Sequence, residues 1–239
     1  MASVTFNDFI ENEKPREFFE SVQPFMELMM QYQCAMMEIK TKFEVLDTEM
    51  SLGFDRNPIE SISCRLKKTI SIAEKLKRKG LDISVENIEK HLHDVAGIRV
   101  ICSFLEDIYL LADKICCQDD IRLVEKKDYI KNPKPNGYRS LHLILEVPVF
   151  FSQETKRMQV EVQLRTIAMD FWASLEHKLR YKKEKDDSVA QTVEELKVCA
   201  EEIHALDIRM QEISRQIFKK EKKEKTQRNH PNTLSAGYE

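Results

Sequence analysis

The stretch Met158–Arg165 constrains this chain most. It reads Met-Gln-Val-Glu-Val-Gln-Leu-Arg and alternates strictly. Val160, Val162 and Leu164 fall on one side of an extended backbone, and Glu161, Gln163 and Arg165 on the other. A period of two with β-branched residues predicts a half-buried strand. One face packs on a core. The other presents a carboxylate, an amide and a guanidinium about 7 Å apart. Alone, such a row is most simply a solvated strand face. Here the flanking segments add phosphate-binding and stacking groups.

The 239 residues are enough for one large domain with helical extensions. Helical spacing of Phe18, Val22, Phe25, Met29, Tyr32, Met36, Ile39, Phe43 and Leu46 predicts a long helix over Pro15–Met50. Its stripe serves either its own domain or, being Met-rich, another subunit. Asn57-Pro58-Ile59-Glu60 resembles a helix start, and Gly80 a helix end, so one helix is expected between them. Its Ser61–Gly80 part carries seven basic residues against one acid, Glu74, in a chain of net charge −3. On a helix Lys67, Ser71, Lys75 and Arg78 share a stripe about 80° wide. That stripe is a solvated basic face or a polyphosphate track.

A short helix follows over Val85–His93, capped by Ser84, and then Asp94, whose charge opposes the helix dipole and would be justified by a bound cation nearby. Strands are expected at Ile98–Phe104, Ile121–Ile130 and Leu141–Val147, and a helix at Glu106–Gln118. The loop 131–137, with Pro133, Pro135 and Asn136-Gly137, is stiff and delivers Tyr138 as an exposed aromatic. A rigid loop with Lys134 and an aromatic suits base stacking, although Tyr138 alone could equally cap the core edge. Helices are expected at Ile167–Lys183 and Val189–Lys220, the latter with an apolar stripe of Val193, Leu196, Ala200, Ile203, Leu206, Met210, Ile213 and Ile217.

The fold class is therefore α+β: a mixed sheet of four or five strands flanked by helices, with long terminal helices. The divisions are a helical region 1–56, a core 57–183, a helix 184–220 and a disordered tail 221–239. Both common Gly-rich phosphate cradles are absent, so side-chain cations must do that work. Asp94 and Glu161 are the carboxylates suited to magnesium. Six scattered Cys without C-x-x-C spacing, no signal-like N-terminus and no span of apolar residues point to a cytoplasmic protein with neither disulfides nor zinc, and no membrane partner. His93-Asp94 also suggests a metal-dependent phosphohydrolase, but only His91 stands near as a further ligand. The basic cluster would admit RNA, which the net charge does not indicate.

Four segments in order, His93–Arg99, Asn136–His142, Glu161–Thr166 and Phe171–His177, resemble the RelA/SpoT synthetase domain over Asn57–Lys183. Without room for hydrolase and regulatory domains, the chain resembles the small alarmone synthetases. Around Pro-Lys-Pro-Asn-Gly-Tyr it looks nearest to the RelP type. The resemblance implies a 3′-pyrophosphotransferase, in which the 3′-hydroxyl of GTP or GDP attacks the β-phosphorus of ATP, giving AMP and pppGpp or ppGpp. It implies ATP binding by Arg65, Lys67, Ser71, Lys75, Arg78 and Arg99. Asp94 would hold Mg2+, and Glu161 would share the ion and activate the hydroxyl. Tyr138 would stack on guanine, with Lys134, His142 and Gln163 placing the acceptor and Arg165 and His177 making phosphate or positioning contacts. It also implies a homotetramer. Some members bind product in the tetramer cleft through an aromatic just upstream of the first ATP-site arginine. Ser61 stands four positions before Arg65 here, and Glu44 and Asp47 make the N-terminal helix acidic there, so activation through that cleft is not expected. The competing readings are a non-catalytic nucleotide- or RNA-binding regulator and a magnesium-dependent nucleotide hydrolase.

Overall fold

The structure is a computed structural model that describes residues 14–53, 56–182 and 189–228. In chain order the elements are α1 (Lys14–Gly53), β1 (Ile59–Leu66), α2 (Thr69–Arg78), α3 (Val85–His91), β2 (Ala96–Cys102), α4 (Leu105–Cys116), β3 (Arg122–Asp128), β4 (Leu141–Phe150), β5 (Thr155–Thr166), α5 (Ile167–Lys182) and α6 (Val189–Arg228). The strands form one mixed sheet in the order β1-β2-β5-β4-β3, as the α+β reading requires. Only β2 and β5 run parallel.

β5 is central, and its alternation divides the molecule. Met158, Val160, Val162 and Leu164 are buried, together with Ile98 and Val100 of β2 and Leu141, Leu143 and Leu145 of β4. α1 and α4 cover that face. Tyr32, Met36, Ile39, Phe43 and Leu46 of the expected stripe are all buried, so the helix serves its own domain. Each fully buried Ile or Phe contributes roughly 1.5–3 kcal/mol. The Phe18 side chain lies outside the described residues, as does the tail from 229 onward.

Two expectations are corrected. Residues 59–66 are not the first turns of a helix but β1, antiparallel to β2 from Ile59↔Cys102 to Leu66↔Ala96. Asn57 does cap, but it caps the strand: its side-chain oxygen accepts from the Ile59 amide at 3.0 Å, and its amide donates to Asp47 at 2.7 Å. Glu60 accepts from Ser103 rather than closing a capping box. Ile, Ser and Cys are mediocre helix formers, and β2 without β1 would leave an open edge of unpaired backbone groups. The helix proper begins at Thr69 and ends, as expected, at Gly80 with φ +70°. Lys67 and Arg65 therefore precede the helix that carries Ser71, Lys75 and Arg78.

The second correction concerns α6, which runs on to Arg228 rather than ending at Lys220 and packs on α5 and α4. Of its expected apolar stripe, Ala200 is buried and Leu196 and Ile203 half-buried. Leu206, Met210, Ile213 and Ile217 each stay about half exposed, whereas Asp207, Gln211 and Ser214 are buried. Buried polar partners explain the turn of the helix: Asp207 accepts from Thr166, and Gln211 bonds to Glu106. No helix among the described residues is long and apolar enough to cross a membrane.

Candidate active site

Strand register assembles the site on the sheet face opposite α1 and α4. Arg65, Gly97 and Glu161 align across β1, β2 and β5. One step along, Ser63, Arg99, Gln163, His142 and Lys127 align across all five strands. Directly paired residues share a face, so these side chains converge without any loop. A cavity of about 410 Å³ opens there, lined by Arg65, Lys67, Asp94, Arg99, Glu161 and Gln163 among others. Gly97 lies in its floor, where the absence of a side chain keeps the space between Arg65 and Glu161 clear.

Asp94 sits in the turn from α3 to β2. Its Oδ2 accepts from Lys67 Nζ at 2.6 Å and Lys75 Nζ at 2.7 Å. Two lysine side chains thus offset its unfavourable place after a helix, where the sequence pointed to a bound cation. Burial pushes its carboxyl pKa up, but the two lysines outweigh burial and hold it below the ordinary value. Its Oδ1 is buried and has no partner. His93, beside it, hydrogen-bonds Gln159 at 2.7 Å. The described residues contain no group of three or more His, Cys, Asp or Glu able to hold a metal, so the ligand set of a phosphohydrolase is not gathered around it.

Glu161 belongs to a closed ring of five side chains. Its Oε1 pairs with His142 Nδ1 at 3.2 Å, and His142 Nε2 with the Tyr138 hydroxyl at 2.9 Å. Arg165 donates from Nη2 to that hydroxyl at 2.7 Å and to Gln163 Oε1 at 3.1 Å. Gln163 closes the ring by donating to Glu161 Oε2 at 2.8 Å. Because arginine only donates, the tyrosine hydroxyl is free to donate to His142 Nε2, and Nδ1–H then points at Glu161. Burial again raises the glutamate's pKa, while His142 and Gln163 more than offset it, and the neighbouring Asp94 charge opposes them. Both carboxylates are therefore ionised at neutral pH.

Tyr138 is not the exposed platform expected. It is half-buried, with Lys134 Nζ 4.8 Å and the Arg165 guanidinium 5.1 Å from its ring centroid, and Tyr129 and His142 set edge-on. Lys134 also stands 4.7 Å from the Tyr129 ring, and burial lowers its pKa. The loop is as tight as its prolines suggested, with Gly137 at φ +88° and its amide donating to Lys134 O at 2.8 Å.

Of the other expected residues, Ser71 is half-buried on α2, one turn before Lys75, while Arg78 is exposed at the C-terminal end of that helix. Neither lines the cavity, and nor does the exposed His177. Asp170 escaped notice. In the first turn of α5 it accepts from Arg165 at 3.0 Å and pairs with Arg99 at 3.3 Å, so one carboxylate holds both guanidiniums. Its signal is an acid in the first turn of a helix that directly follows a strand with arginine as its penultimate residue. Ser63 would have followed from Arg65 by period two, had β1 been read as a strand.

Residues 64–186 match the family model described as the region found in RelA/SpoT proteins. GTP pyrophosphokinase YwaC of Bacillus subtilis is 46% identical over 186 residues, 78% of this chain and 88% of that protein. Among solved structures, the small alarmone synthetase 1 from Bacillus subtilis bound to its product pppGpp matches with a TM-score of 0.74 at 34% identity, covering 81% of this chain and 97% of its own. The small alarmone synthetase 2 from the same organism matches with a TM-score of 0.70 at 44% identity, covering 79% and 96%.

Proposed function

The chain belongs to the RelA/SpoT family, and from that premise we infer that it is a (p)ppGpp synthetase, transferring pyrophosphate from ATP to the 3′-hydroxyl of GTP or GDP for stringent-response signalling. The observation that carries this reading is the shared cavity: Asp94 and Glu161 line it together with Arg65, Lys67 and Arg99.

The donor lies against Arg65, Lys67, Lys75 and Arg99, with Ser71 and Arg78 reaching its outer phosphates. The acceptor lies toward Glu161, Gln163, His142, Tyr138 and Lys134. Its guanine takes one face of Tyr138, which requires Lys134 or Arg165 to give way on that side. The ionised Glu161 accepts the 3′-hydroxyl's hydrogen bond and orients a lone pair toward the β-phosphorus. As that oxygen bonds to the β-phosphorus, the bond to the bridging oxygen breaks, AMP leaves with the electron pair, and the hydroxyl proton passes to Glu161. A carboxylate held below its usual pKa is a weak base, so its main contribution is orientation and charge. Cations already in place stabilise the charge that develops on the bridging oxygen.

Magnesium fits the residues present. It takes one or two carboxylates and completes its shell with water and phosphate, and Asp94 offers an unpartnered buried oxygen in the cavity that Glu161 also lines. When bound, it neutralises phosphate charge. Arg165 acts from behind, holding Tyr138 and Gln163, whereas His177 is exposed and outside the cavity lining, which does not favour a phosphate role. The chain works in the cytoplasm as a homo-oligomer, a tetramer. The exposed apolar stripe of α6 supports self-association, since a face of Leu206, Met210, Ile213 and Ile217 is better covered than solvated.

The test is direct. Pure protein with labelled ATP, GTP and magnesium is expected to yield AMP and pppGpp. Release of phosphate from one nucleotide alone, or no turnover, contradicts the reading.

A further inference from the structure

No described side chain of α6 lines the cavity, yet the helix touches the acceptor side at two places. A Cβ built on Gly137 would stand 2.6 Å from the Ala200 Cβ and 3.3 Å from the Lys197 Cα, so the loop that delivers Tyr138 rests against the helix. Next to Arg165, the buried Thr166 donates its hydroxyl to the buried Asp207 at 2.6 Å. Trp172 Nε1 donates to Leu196 O at 2.9 Å and fixes the height of α6 on α5. The space left at this seam is about 10 Å³, room for one water at most. Packing fills it, not a ligand.

We propose that α6 is a positioning strut for the acceptor nucleotide: its seat on Gly137 and Thr166 sets where Tyr138, Lys134 and Arg165 stand. Apart from Arg99 of β2, which Asp170 of α5 holds, the donor side is built from β1, α2 and the turn before β2, whereas α6 packs on α5 and α4. A shift of the strut at Gly137 therefore moves the acceptor's contacts, while Arg65, Lys67 and Lys75 keep theirs. Ala200 and Asp207 are positioning residues, touching no substrate. The proposal rests on the reading of the Tyr138 side as the acceptor side.

Ala200→Leu in the full chain tests it. The larger side chain pushes on Gly137, and misplacement of about 1 Å costs up to 10²-fold. The KM for GTP is expected to rise about tenfold or more, with the KM for ATP unchanged within about twofold. Calorimetric titration with GDP and with a non-hydrolysable ATP analogue reads the same split without turnover. Equal losses for both nucleotides, or no loss for either, overturn the strut. Ala200→Val, with a thermal melt to confirm folding, gives the same readout if leucine prevents folding. A wild type that binds both nucleotides but forms no product defeats the synthetase reading, while the binding split still decides the strut.

Discussion

His142 Nδ1 lies 3.2 Å from Glu161 Oε1, with its other nitrogen held by the Tyr138 hydroxyl at 2.9 Å. This pair makes the glutamate part of a fixed network. Its orientation is set before substrate arrives, and ordering it costs nothing at the moment of reaction.

Tyr138→Phe keeps the ring but removes the hydroxyl between Arg165 and His142. Leaving buried polar groups unpaired costs about 1–3 kcal/mol. Since the network faces the proposed acceptor side, kcat/KM for GTP is expected to fall about tenfold or more, with the KM for ATP unchanged. Initial rates with each nucleotide varied in turn check this, and equal effects on both would place Tyr138 elsewhere.

Asp94→Asn is expected to remove an acid-sensitive part of the stability. The carboxyl's folded pKa lies below the ordinary 3.8 because Lys67 and Lys75 hold its charged form. A depressed pKa gives stability that is full above the unfolded value and lost as pH falls through the folded one. The wild type should therefore exceed the variant at neutral pH, and the gap should narrow as pH drops below about 4. Chemical denaturation at several pH values measures it. A gap independent of pH would contradict the ion-pair account.

Much of this is legible in the amino-acid sequence. The β5 alternation defined both faces of the sheet, and Glu161, Gln163 and Arg165 do stand on the open one, lining or bordering the site. What β1 becomes was not legible, because Asn57-Pro58 caps a strand as readily as a helix and only pairing with β2 decides. The ring through His142 and Tyr138 depends on the β4–β5 register, which no local pattern encodes. The inverted polarity of α6 was hidden for the same reason. Its apolar spacing is genuine, but Thr166 and Glu106 draw its polar residues inward.

Gly137→Ala meets two penalties, a left-handed backbone at φ +88° and contact with Ala200. Together these should cost about 1–3 kcal/mol. Thermal unfolding is expected to fall by roughly 2–4 °C per kcal/mol. An unchanged melting temperature would mean that the loop does not rest on α6.

Met210→Glu places a charge in the exposed apolar face of α6 without disturbing a buried group. Light scattering after gel filtration is expected to show the proposed homotetramer for the wild type and smaller species for the variant. A mass unaffected by the change would remove this face from the interface.

In the proposed reaction Glu161 is the group that orients the attacking hydroxyl beside Asp94. Product formation from ATP and GTP by wild type and Glu161→Gln, measured side by side with ATP-analogue binding, tests it most directly. A loss of about 10²–10⁴ in rate with binding retained is the expected result. Undiminished pppGpp synthesis by the variant would contradict it.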